Sequence, residues 1–392
     1  MPRSPLRPHL TSIRPKVLLM GRSYAGKSSM RSVIFANCLA PDTARLNATY
    51  RIEHREVRFL GQLVLDLWDC GGQDGFMEAY LNTDSGVAAD GRVDASRQRV
   101  FDNAQALVYV LDVESRDDPK DVAYFQRTVA ALHRVSPQAR LYVLAHKMDL
   151  VPQERRAALF RSLLARLRQL AQPMAVTAAF ATSIWDESLY SAWSAIVCAF
   201  LPHREALQTG LAQFGEVCEA EEVVLFERAT FLVIASATTE DIAGSASSPS
   251  TRRQRRASSS LDSADSDEHP ENDAVGMRSW WRRPAKRADP LASQPSASAP
   301  TAMAPPLADL NRFEKVSNIV KQFKLCCFKA STHFRSLEIS HPDMVLVLDG
   351  LTDSTYLLVV ARPDAAGAVN PGSLRVNIHA AQPHFTQLLR MC

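Results

Sequence analysis

The sequence predicts an α/β protein with two domains, and three observations support this prediction. The chain has 392 residues, more than a single hydrophobic core usually holds. From about residue 16 to residue 201, short apolar runs alternate with helical patterns, as in a mostly parallel sheet with helices on both faces. A second block of apolar runs follows, and a long polar segment interrupts it. We therefore expect a larger domain with a parallel sheet and then a smaller α/β domain.

The strands of the first domain are predicted where short apolar runs occur. They are Val17–Met20, Val57–Phe59, Leu63–Trp68, Ala106–Asp112, Leu141–Ala145 and Met174–Ala178. Helices are predicted at Lys27–Ala40, Asp118–Val135 and Pro152–Leu170. The polar stretch Asn82–Gln98 is expected to be a loop insertion. These elements place the first domain at residues 15–202, after a disordered tail at residues 1–14.

The second domain is predicted at residues 203–238 and 308–392, on both sides of an insert. Its predicted elements are a helix near His203, strands at Val223–Phe226 and Ala229–Ala235, a helix at Arg312–Ser336, strands at Met344–Leu348, Tyr356–Val360 and Leu374–Ile378, and a last helix to Leu389. The insert, residues 239–307, is rich in Ser, Pro and Arg. Such a composition buries too little apolar surface to offset the entropy of ordering, so we expect the insert to be disordered.

Composition and charge exclude several classes of protein. The formal net charge of +3 is too small to indicate a nucleic-acid partner. The seven cysteines are scattered and odd in number, which is typical of reduced thiols in the cytoplasm. We find no signal peptide, membrane span or lipidation motif in the sequence. We therefore expect any association with a membrane to be indirect, through a partner.

A phosphate-binding loop is predicted directly after the first strand. The residues from Gly21 to Ser28 match G-x-x-x-x-G-K-[ST], and they lie between a strand that ends at Met20 and a helix that opens at Lys27. In such a loop the backbone N–H groups surround the phosphates, Lys27 neutralises the β and γ oxygens, and Ser28 ligates Mg²⁺. The expected phosphate-binding residues of the loop are Gly21, Arg22, Ser23, Tyr24, Ala25, Gly26, Lys27, Ser28 and Ser29.

Two further segments are predicted to face the γ-phosphate. Asp69 follows the strand that ends at Trp68 and opens a D-x-x-G motif, so it is expected to face Mg²⁺ at the carboxyl end of the sheet. Gly72 is expected to offer its N–H to the γ-phosphate. Gln73 comes next, where Ras-like proteins carry the glutamine that orients the attacking water, and it is the predicted catalytic residue. Thr49 is the expected switch threonine on Mg²⁺ and the γ-phosphate.

A guanine-reading motif is predicted after the fifth strand. His146-Lys147-Met148-Asp149 resembles N-K-x-D, in which the carboxylate of the last residue accepts hydrogen bonds from the N1–H and the exocyclic amine of guanine. Adenine does not present this pair of donors. Thr182, Ser183 and Ile184 occupy the place of the last loop that contacts the base. The expected guanine-binding residues are therefore His146, Lys147, Asp149, Ser183 and Ile184.

Longer runs resemble the Rag GTPases of the RagA/RagB branch, which includes the fungal Gtr-type proteins. In the first domain these runs are Ile34–Asn37, Val57–Gly61, Leu67–Asp74, Asp112–Ser115, His146–Leu150 and Thr182–Glu187. In the second block they are Val224–Ile234 and Phe313–Lys324. Histidine in place of the usual asparagine in the guanine motif is typical of this branch. The resemblance implies a Ras-like G domain, a P-loop domain, followed by a roadblock-like or longin-like α/β domain that serves dimerisation.

The same resemblance implies a biological setting. It implies a slow GTPase that binds GTP or GDP with Mg²⁺ and depends on a GTPase-activating protein. It further implies a heterodimer with a RagC/RagD-type GTPase, a membrane scaffold complex, and signalling of amino-acid sufficiency to the TOR kinase complex. The expected location is the cytoplasm, with recruitment to the surface of the vacuole or lysosome. A basic run at Arg282–Arg287 matches a nuclear import patch, so a nuclear pool is a further expectation.

Two alternatives remain open at this point. Tyr24 stands where relatives have glycine, so the chain is alternatively a structural subunit that binds nucleotide without hydrolysing it. The second alternative is a P-loop ATPase or small-molecule kinase, and the guanine-reading residue Asp149 argues against this alternative.

Overall fold

The computed structural model describes residues 14–49, 52–60, 63–81, 100–115, 118–246, 316, 319–327, 330–332, 334–363 and 369–391. The predictions of a disordered tail and a loop insertion at 82–98 fall on residues outside these ranges, apart from Arg14. The prediction of a disordered insert and the basic run at 282–287 also fall outside these ranges, apart from the first residues of the insert, 239–246. No helix in the described ranges is long and apolar enough to cross a bilayer.

The first domain is built on a six-stranded sheet with the order β2-β3-β1-β4-β5-β6. Its strands are β1 (Lys16–Met20), β2 (Glu53–Leu60), β3 (Leu63–Asp69), β4 (Ala104–Asp112), β5 (Arg140–His146) and β6 (Val176–Thr182). Only β2 runs antiparallel to its neighbour, β3. The helices are α1 (Lys27–Phe35), α2 (Asp74–Leu81), α3 (Asp118–Val135), α4 (Gln153–Leu170) and α5 (Ser188–Cys198). The predicted mostly parallel sheet is confirmed.

Helices cover both faces of this sheet. Successive residues of a strand point to opposite faces, so each strand contributes side chains to two cores. Val17 and Leu19 of β1 belong to a core shared with α1 and α5. Leu18 and Met20 belong to a second core, shared with α2, α3 and α4. Because β1, β3, β5 and β6 are parallel, the loops that follow them meet at one edge of the sheet. The two cores hold this sheet from both sides.

The second domain contains a five-stranded antiparallel sheet with the order β8-β7-β11-β10-β9. Its strands are β7 (Ala220–Glu227), β8 (Val233–Thr238), β9 (Leu337–His341), β10 (Met344–Thr352) and β11 (Thr355–Ala361). The helices are α6 (Arg204–Val217), α7 (Thr239–Ala246), α8 (319–327) and α9 (Pro371–Met391). Phe214 of α6 meets Phe385 of α9 edge to face at 6.3 Å between ring centroids. The fold class predicted for both domains is confirmed.

The predicted strand at Leu374–Ile378 is wrong, because these residues lie within α9. Leu374 and Ile378 are buried, whereas Val376 between them is 67% exposed. Phe385 and Leu389 are also buried, so the burial recurs with helical spacing. The alternating apolar pattern at Leu374, Val376 and Ile378 resembles a strand, but in the helix Val376 lies on the exposed face and the other two lie on the buried face.

Several predicted boundaries also change. The helix predicted at Arg312–Ser336 is described at 319–327, and the unpredicted strand β9 begins at Leu337. β9 is an edge strand with mostly exposed side chains. It therefore lacks the alternation of buried and exposed side chains by which a strand is usually recognised. α7 occupies the first residues of the segment predicted to be disordered.

Two more boundaries differ in the connections. The strand predicted at Ala229–Ala235 begins only at Val233. The preceding turn is closed by the carboxylate of Glu227, which accepts the N–H groups of Ala229 and Thr230 at 2.8 and 2.6 Å. The helix predicted at Lys27–Ala40 ends at Phe35 and is followed by a 3₁₀ turn at Ala40–Arg45.

Candidate nucleotide-binding site

The predicted phosphate loop connects β1 to α1, and two glycines determine its path. Gly21 and Gly26 have φ angles of +140° and +90°, values that side chains with a Cβ atom rarely adopt. A Cβ atom on Gly21 would lie 2.2 Å from the carbonyl oxygen of Val110. A Cβ atom on Gly26 would lie 2.7 Å from the ring of His146. The loop therefore packs directly against β4 and β5, which only glycine allows.

Lys27 lies inside the curl of this loop. Its Nζ donates to the carbonyl oxygens of Gly21 and Arg22, both at 2.8 Å. The side chain is 5% exposed, and burial lowers its pKa to about 8. An anion in the loop would favour the charged form of Lys27, as expected for a residue that neutralises phosphate.

The remaining loop residues differ in what they offer. The side chain of Arg22 turns to Asp121, with Nη1 2.9 Å from Oδ1, so Arg22 brings its backbone to the loop. Ala25 is buried and Ser29 is half-buried in the first turn of α1. Tyr24 adopts a left-handed φ of +65° and its side chain is 83% exposed.

Three oxygen ligands predicted for Mg²⁺ converge beside the loop. The Oγ atom of Ser28 lies 2.6 Å from Thr49 Oγ1 and 2.9 Å from Asp69 Oδ2. Asp69 is fully buried, and its second oxygen, Oδ1, has no hydrogen-bond partner among the described residues. Hydroxyl and carboxylate oxygens are the ligands that Mg²⁺ prefers, and it usually takes one or two carboxylates together with phosphates. The residues present therefore fit this cation.

Arg31 is a neighbour of this cluster that sequence reasoning missed. Its Nε lies 3.0 Å from Asp69 Oδ2, and its Nη2 is paired with the carboxylate of Glu53 on β2. Burial raises the pKa of Asp69, while the positive charges of Arg31 and Lys27 lower it. Arg31 lies in the second turn of a helix and belongs to no sequence motif. Its contact with the cation ligands is therefore visible only in the folded structure.

The glycine segment after Asp69 lies against both the phosphate loop and Thr49. The N–H of Ser23 donates to the carbonyl oxygen of Gly72 at 2.7 Å. A Cβ atom on Gly72 would lie 2.4 Å from the carbonyl oxygen of Gly21, and one on Gly71 would lie 2.9 Å from that of Thr49. The contact in this structure is thus made through the carbonyl of Gly72, whereas its N–H is the group predicted to bind phosphate.

Gln73 follows at the start of α2, and its side-chain oxygen is in an unusual environment. Oε1 is buried and has no hydrogen-bond partner among the described residues. A Cβ atom on Gly71 would lie 3.1 Å from this oxygen, so Oε1 is close to the segment that faces Thr49. Buried polar atoms are normally satisfied, and an exception calls for a missing partner such as water or a ligand.

The predicted base-reading residues meet at the ends of β5 and β6. Asp149 Oδ1 accepts a hydrogen bond of 2.6 Å from Ser183 Oγ, which orients the carboxylate. Lys147 has a left-handed φ of +66°, and its Nζ donates to Asp112 Oδ2 at 2.7 Å. Ile184 is half-buried beside Ser183. The structure thus brings the predicted residues together and adds Asp112, which sequence reasoning did not assign to the site.

His146 links this base-reading region to the phosphate loop. Its ring packs against Gly26, and its Nδ1 lies 2.9 Å from Thr182 Oγ1. The side chain is 2% exposed, and burial lowers its pKa to about 4. His146 is therefore neutral at pH 7 and serves as a packed hydrogen-bonding spacer. Thr182 belongs to the predicted base-contacting loop but was not assigned a contact of its own, and the structure gives it the hydrogen bond with His146.

Acidification is expected to destabilise the protein through His146. Its pKa is about 4 when folded against an ordinary 6.5, so the unfolded chain binds more protons between these values and stability falls as the pH falls through this window. The expected loss is about 2 kcal/mol at pH 5 relative to pH 7. His146→Asn should lose less stability over this interval, as measured by urea unfolding at both pH values. His384→Asn, at an exposed position, is the control, and equal losses in all three proteins would contradict the assignment.

These features together define a Ras-like G domain, a guanine-nucleotide-binding domain, joined to a roadblock-like domain. The profile of the Gtr1/RagA G protein conserved region matches residues 16–320. The chain belongs to this family of Rag-type GTPases.

Individual relatives agree with this membership. The chain is 37% identical over 377 residues to Ras-related GTP-binding protein A of Dictyostelium discoideum, covering 96% of this chain and 98% of that protein. It is 40% identical over 358 residues to GTP-binding protein gtr1 of Schizosaccharomyces pombe, covering 91% and 92%. Ras-related GTP-binding protein C of Homo sapiens is a more distant relative, 24% identical over 229 residues, with 57% and 54% covered.

Proposed function

We propose that this protein is a Rag-type switch that binds GTP with Mg²⁺ and slowly hydrolyses it to GDP. The observation that carries the proposal is the convergence of Ser28, Thr49 and Asp69, with 2.6 and 2.9 Å between their oxygens. These residues come from three separate parts of the chain. Lys27 lies in the loop beside them with its amine directed at the loop carbonyls. Such a set of groups suits a nucleoside triphosphate and a hard cation.

The chemistry of each residue follows from its place. Lys27 and the loop N–H groups would bind the β and γ oxygens, and Ser28, Thr49 and Asp69 would hold the cation. When bound, Mg²⁺ neutralises charge on the phosphates. Gln73 would orient the attacking water through its side-chain amide. Because catalysis here consists of positioning and charge stabilisation, we expect an activating protein to be needed for a useful rate.

Loss of the γ-phosphate would release the two segments that contact it. Thr49 and the segment at Gly71–Gln73 lie against each other and against the phosphate loop. Contacts to a γ-phosphate and its cation hold such segments in order, and hydrolysis frees them. This change is the proposed signal, read by partners that bind one arrangement better than the other.

We further propose that the protein acts as a heterodimer with a RagC/RagD-type GTPase through its second domain. The roadblock-like fold of that domain and the distant relationship to proteins of the RagC and RagD type support this. A membrane scaffold complex would hold the pair at the vacuolar or lysosomal surface, and the TOR kinase complex would receive the amino-acid signal. A cytoplasmic pool, and a nuclear one, complete the proposed distribution.

The proposal is tested by nucleotide content and preference. The chain is purified with its partner, the bound nucleotide is identified after denaturation, and GTP competes with ATP in the presence and absence of Mg²⁺. Selective, Mg²⁺-dependent binding of GTP with conversion to GDP in the presence of an activator supports the switch. Equal binding of ATP and GTP would refute the proposal.

A second candidate function rests on Tyr24. Tyr24 has a left-handed φ of +65° and an 83% exposed side chain, so the phosphate loop carries a large side chain on its surface. A non-glycine residue in this region is strained by about 1 to 3 kcal/mol. If this side chain blocks the geometry needed for hydrolysis, the chain is a structural subunit that retains nucleotide and does not hydrolyse it.

The variant Tyr24→Gly separates the two candidate functions. If the protein is a switch, Tyr24 leaves the reacting groups in place. The rate of activator-stimulated hydrolysis by the natural protein should therefore be within about threefold of the rate of Tyr24→Gly. Single-turnover phosphate release measures both rates. Tyr24→Phe, which keeps the ring, is the matched control. Hydrolysis by Tyr24→Gly alone would favour the structural subunit.

A further inference from the structure

Lys321 is an ionisable residue buried between the two domains. It lies on α8 of the second domain and is 2% exposed. Burying an ammonium group is costly unless hydrogen bonds or charges compensate it. The groups that compensate Lys321 therefore show what holds this part of the structure together.

The partners of the Lys321 amine belong to the G domain. Nζ donates to the carbonyl oxygen of Val33, and it lies 3.5 Å from that of Ile34. It also lies 5.1 Å from the ring centroid of Tyr190 on α5. Burial lowers the pKa of Lys321 to about 7, and either protonation state retains N–H donors for these carbonyls. The contact thus joins α8 to α1 across the domain boundary.

The two carbonyl groups are located at the C-terminal end of α1, which ends at Phe35. The last four carbonyls of a helix have no partner within the helix, and a cation there also meets the negative end of the helix dipole. Lysine side chains are common caps at this end. Here, however, the lysine comes from another domain, 288 residues away in the sequence from Val33.

The other end of α1 forms the nucleotide site. The helix begins at Lys27 and Ser28 and has nine residues, so at 1.5 Å per residue it is about 13 Å long. Arg31, in its middle, is 3.0 Å from Asp69. One short rigid element therefore carries phosphate-binding and cation-binding groups at one end and the Lys321 contact at the other.

We propose that Lys321 is a positioning residue through which the second domain stabilises bound nucleotide, by fixing the C-terminal end of α1. This inference rests on the proposed nucleotide-binding function. With the end of α1 released, Lys27 and Ser28 are held less rigidly against the phosphates, and nucleotide dissociates faster. By linkage, bound nucleotide stabilises the contact between the domains by the same factor.

The neighbouring Lys324 provides a matched control on the same helix. Its Nζ donates to the carbonyl oxygen of Arg228 at 3.0 Å, within the second domain. It is also buried in part, and burial lowers its pKa. Lys321→Met and Lys324→Met therefore each remove one amine from α8, but only the first removes a contact with α1.

The test is the dissociation rate of fluorescent GDP from the full chain, bound to its partner, with excess unlabelled GDP and Mg²⁺. Lys321→Met is expected to release GDP about three to ten times faster than the natural protein, the range typical of coupling through a packed path. Lys324→Met is expected to stay within about twofold, because a contact inside the second domain does not reach α1. An equal rate for Lys321→Met and the natural protein, even with a lower melting temperature, would overturn the inference.

A second variant covers the case in which Lys321→Met does not fold. Lys321→Arg keeps the charge, but a planar guanidinium replaces the compact amine between the two carbonyls. It should release GDP about two to three times faster than the natural protein, and an unchanged rate would again overturn the inference. A natural protein that binds no GDP in the same assay would instead refute the proposed function itself.

Discussion

Replacing Gln73 with leucine is expected to reduce activator-stimulated GTP hydrolysis by about 10²-fold to 10³-fold, the usual effect of removing one positioned polar group from a reacting centre. Oε1 of Gln73 is buried beside Gly71 and has no partner in the described part of the chain. Leucine keeps the approximate volume and loses the amide that would hold water. GTP affinity should change little, since the loop and the cation ligands are untouched. Single-turnover phosphate release with activator measures the rate.

Asp74→Asn is the control for this experiment. Asp74 is the next residue; its Oδ2 accepts a hydrogen bond of 2.5 Å from Lys120 on α3, and its Oδ1 lies 3.9 Å from Nε of Arg22, whose side chain turns away from the loop to Asp121. Hydrolysis by this variant should stay within about twofold of the natural rate, because an exposed ion pair contributes little. A Gln73→Leu variant that hydrolyses GTP at the natural rate would exclude Gln73 as the residue that orients water.

Replacing Asp149 with asparagine is expected to reduce the affinity for GTP by about 10²-fold to 10³-fold and to remove the preference for GTP over ATP. The carboxylate would accept two hydrogen bonds from the guanine edge, and hydrogen bonds to a charged group contribute about 1.5 to 3 kcal/mol each. Asparagine offers an amide N–H instead, which faces the exocyclic amine as donor to donor. Xanthine has a carbonyl oxygen there, so the variant should prefer XTP. Competition of GTP, ATP and XTP against fluorescent GDP measures this change.

Asp186→Asn is the matched control, because Asp186 is a carboxylate of the same region that accepts hydrogen bonds from Ser188, the first residue of α5. It should keep the preference for GTP. Ser183→Ala should have an intermediate effect of about tenfold, since it removes the 2.6 Å hydrogen bond that orients Asp149. If Asp149→Asn retained full discrimination against ATP, the base would be read elsewhere and a P-loop ATPase or kinase would become the better interpretation.

The phosphate loop and the segment at Asp69 could be predicted because each motif is local. Gly21, Gly26, Lys27 and Ser28 must have fixed spacing to close a loop between a strand and a helix, and the apolar run before each motif places it at the edge of the sheet. The structure places Ser28, Thr49 and Asp69 together as this reasoning requires. Their roles toward nucleotide stay predictions until the proposed measurements are made.

Other features could not be predicted, because no local pattern carries them. The strand β9 lies at an exposed edge, and Leu374–Ile378 has an alternating pattern that fits a strand as well as a helix. Local preference leaves such short runs undecided, and only packing against α6 and the sheet selects the helix. The contacts of Arg31 with Asp69 and of His146 with Thr182 likewise depend on which elements become neighbours.

The sequence by itself determined the class of fold, the family and the motifs of the site, since these depend on spacing along a few residues. Only the tertiary structure decided how the parts act on one another. It placed Lys321 of the second domain on the end of α1, the helix that begins at the phosphate loop. The physical reason is that the effect of a buried ionisable group depends on the groups that compensate its burial. Those groups can lie hundreds of residues away in the sequence, so only the folded chain identifies them.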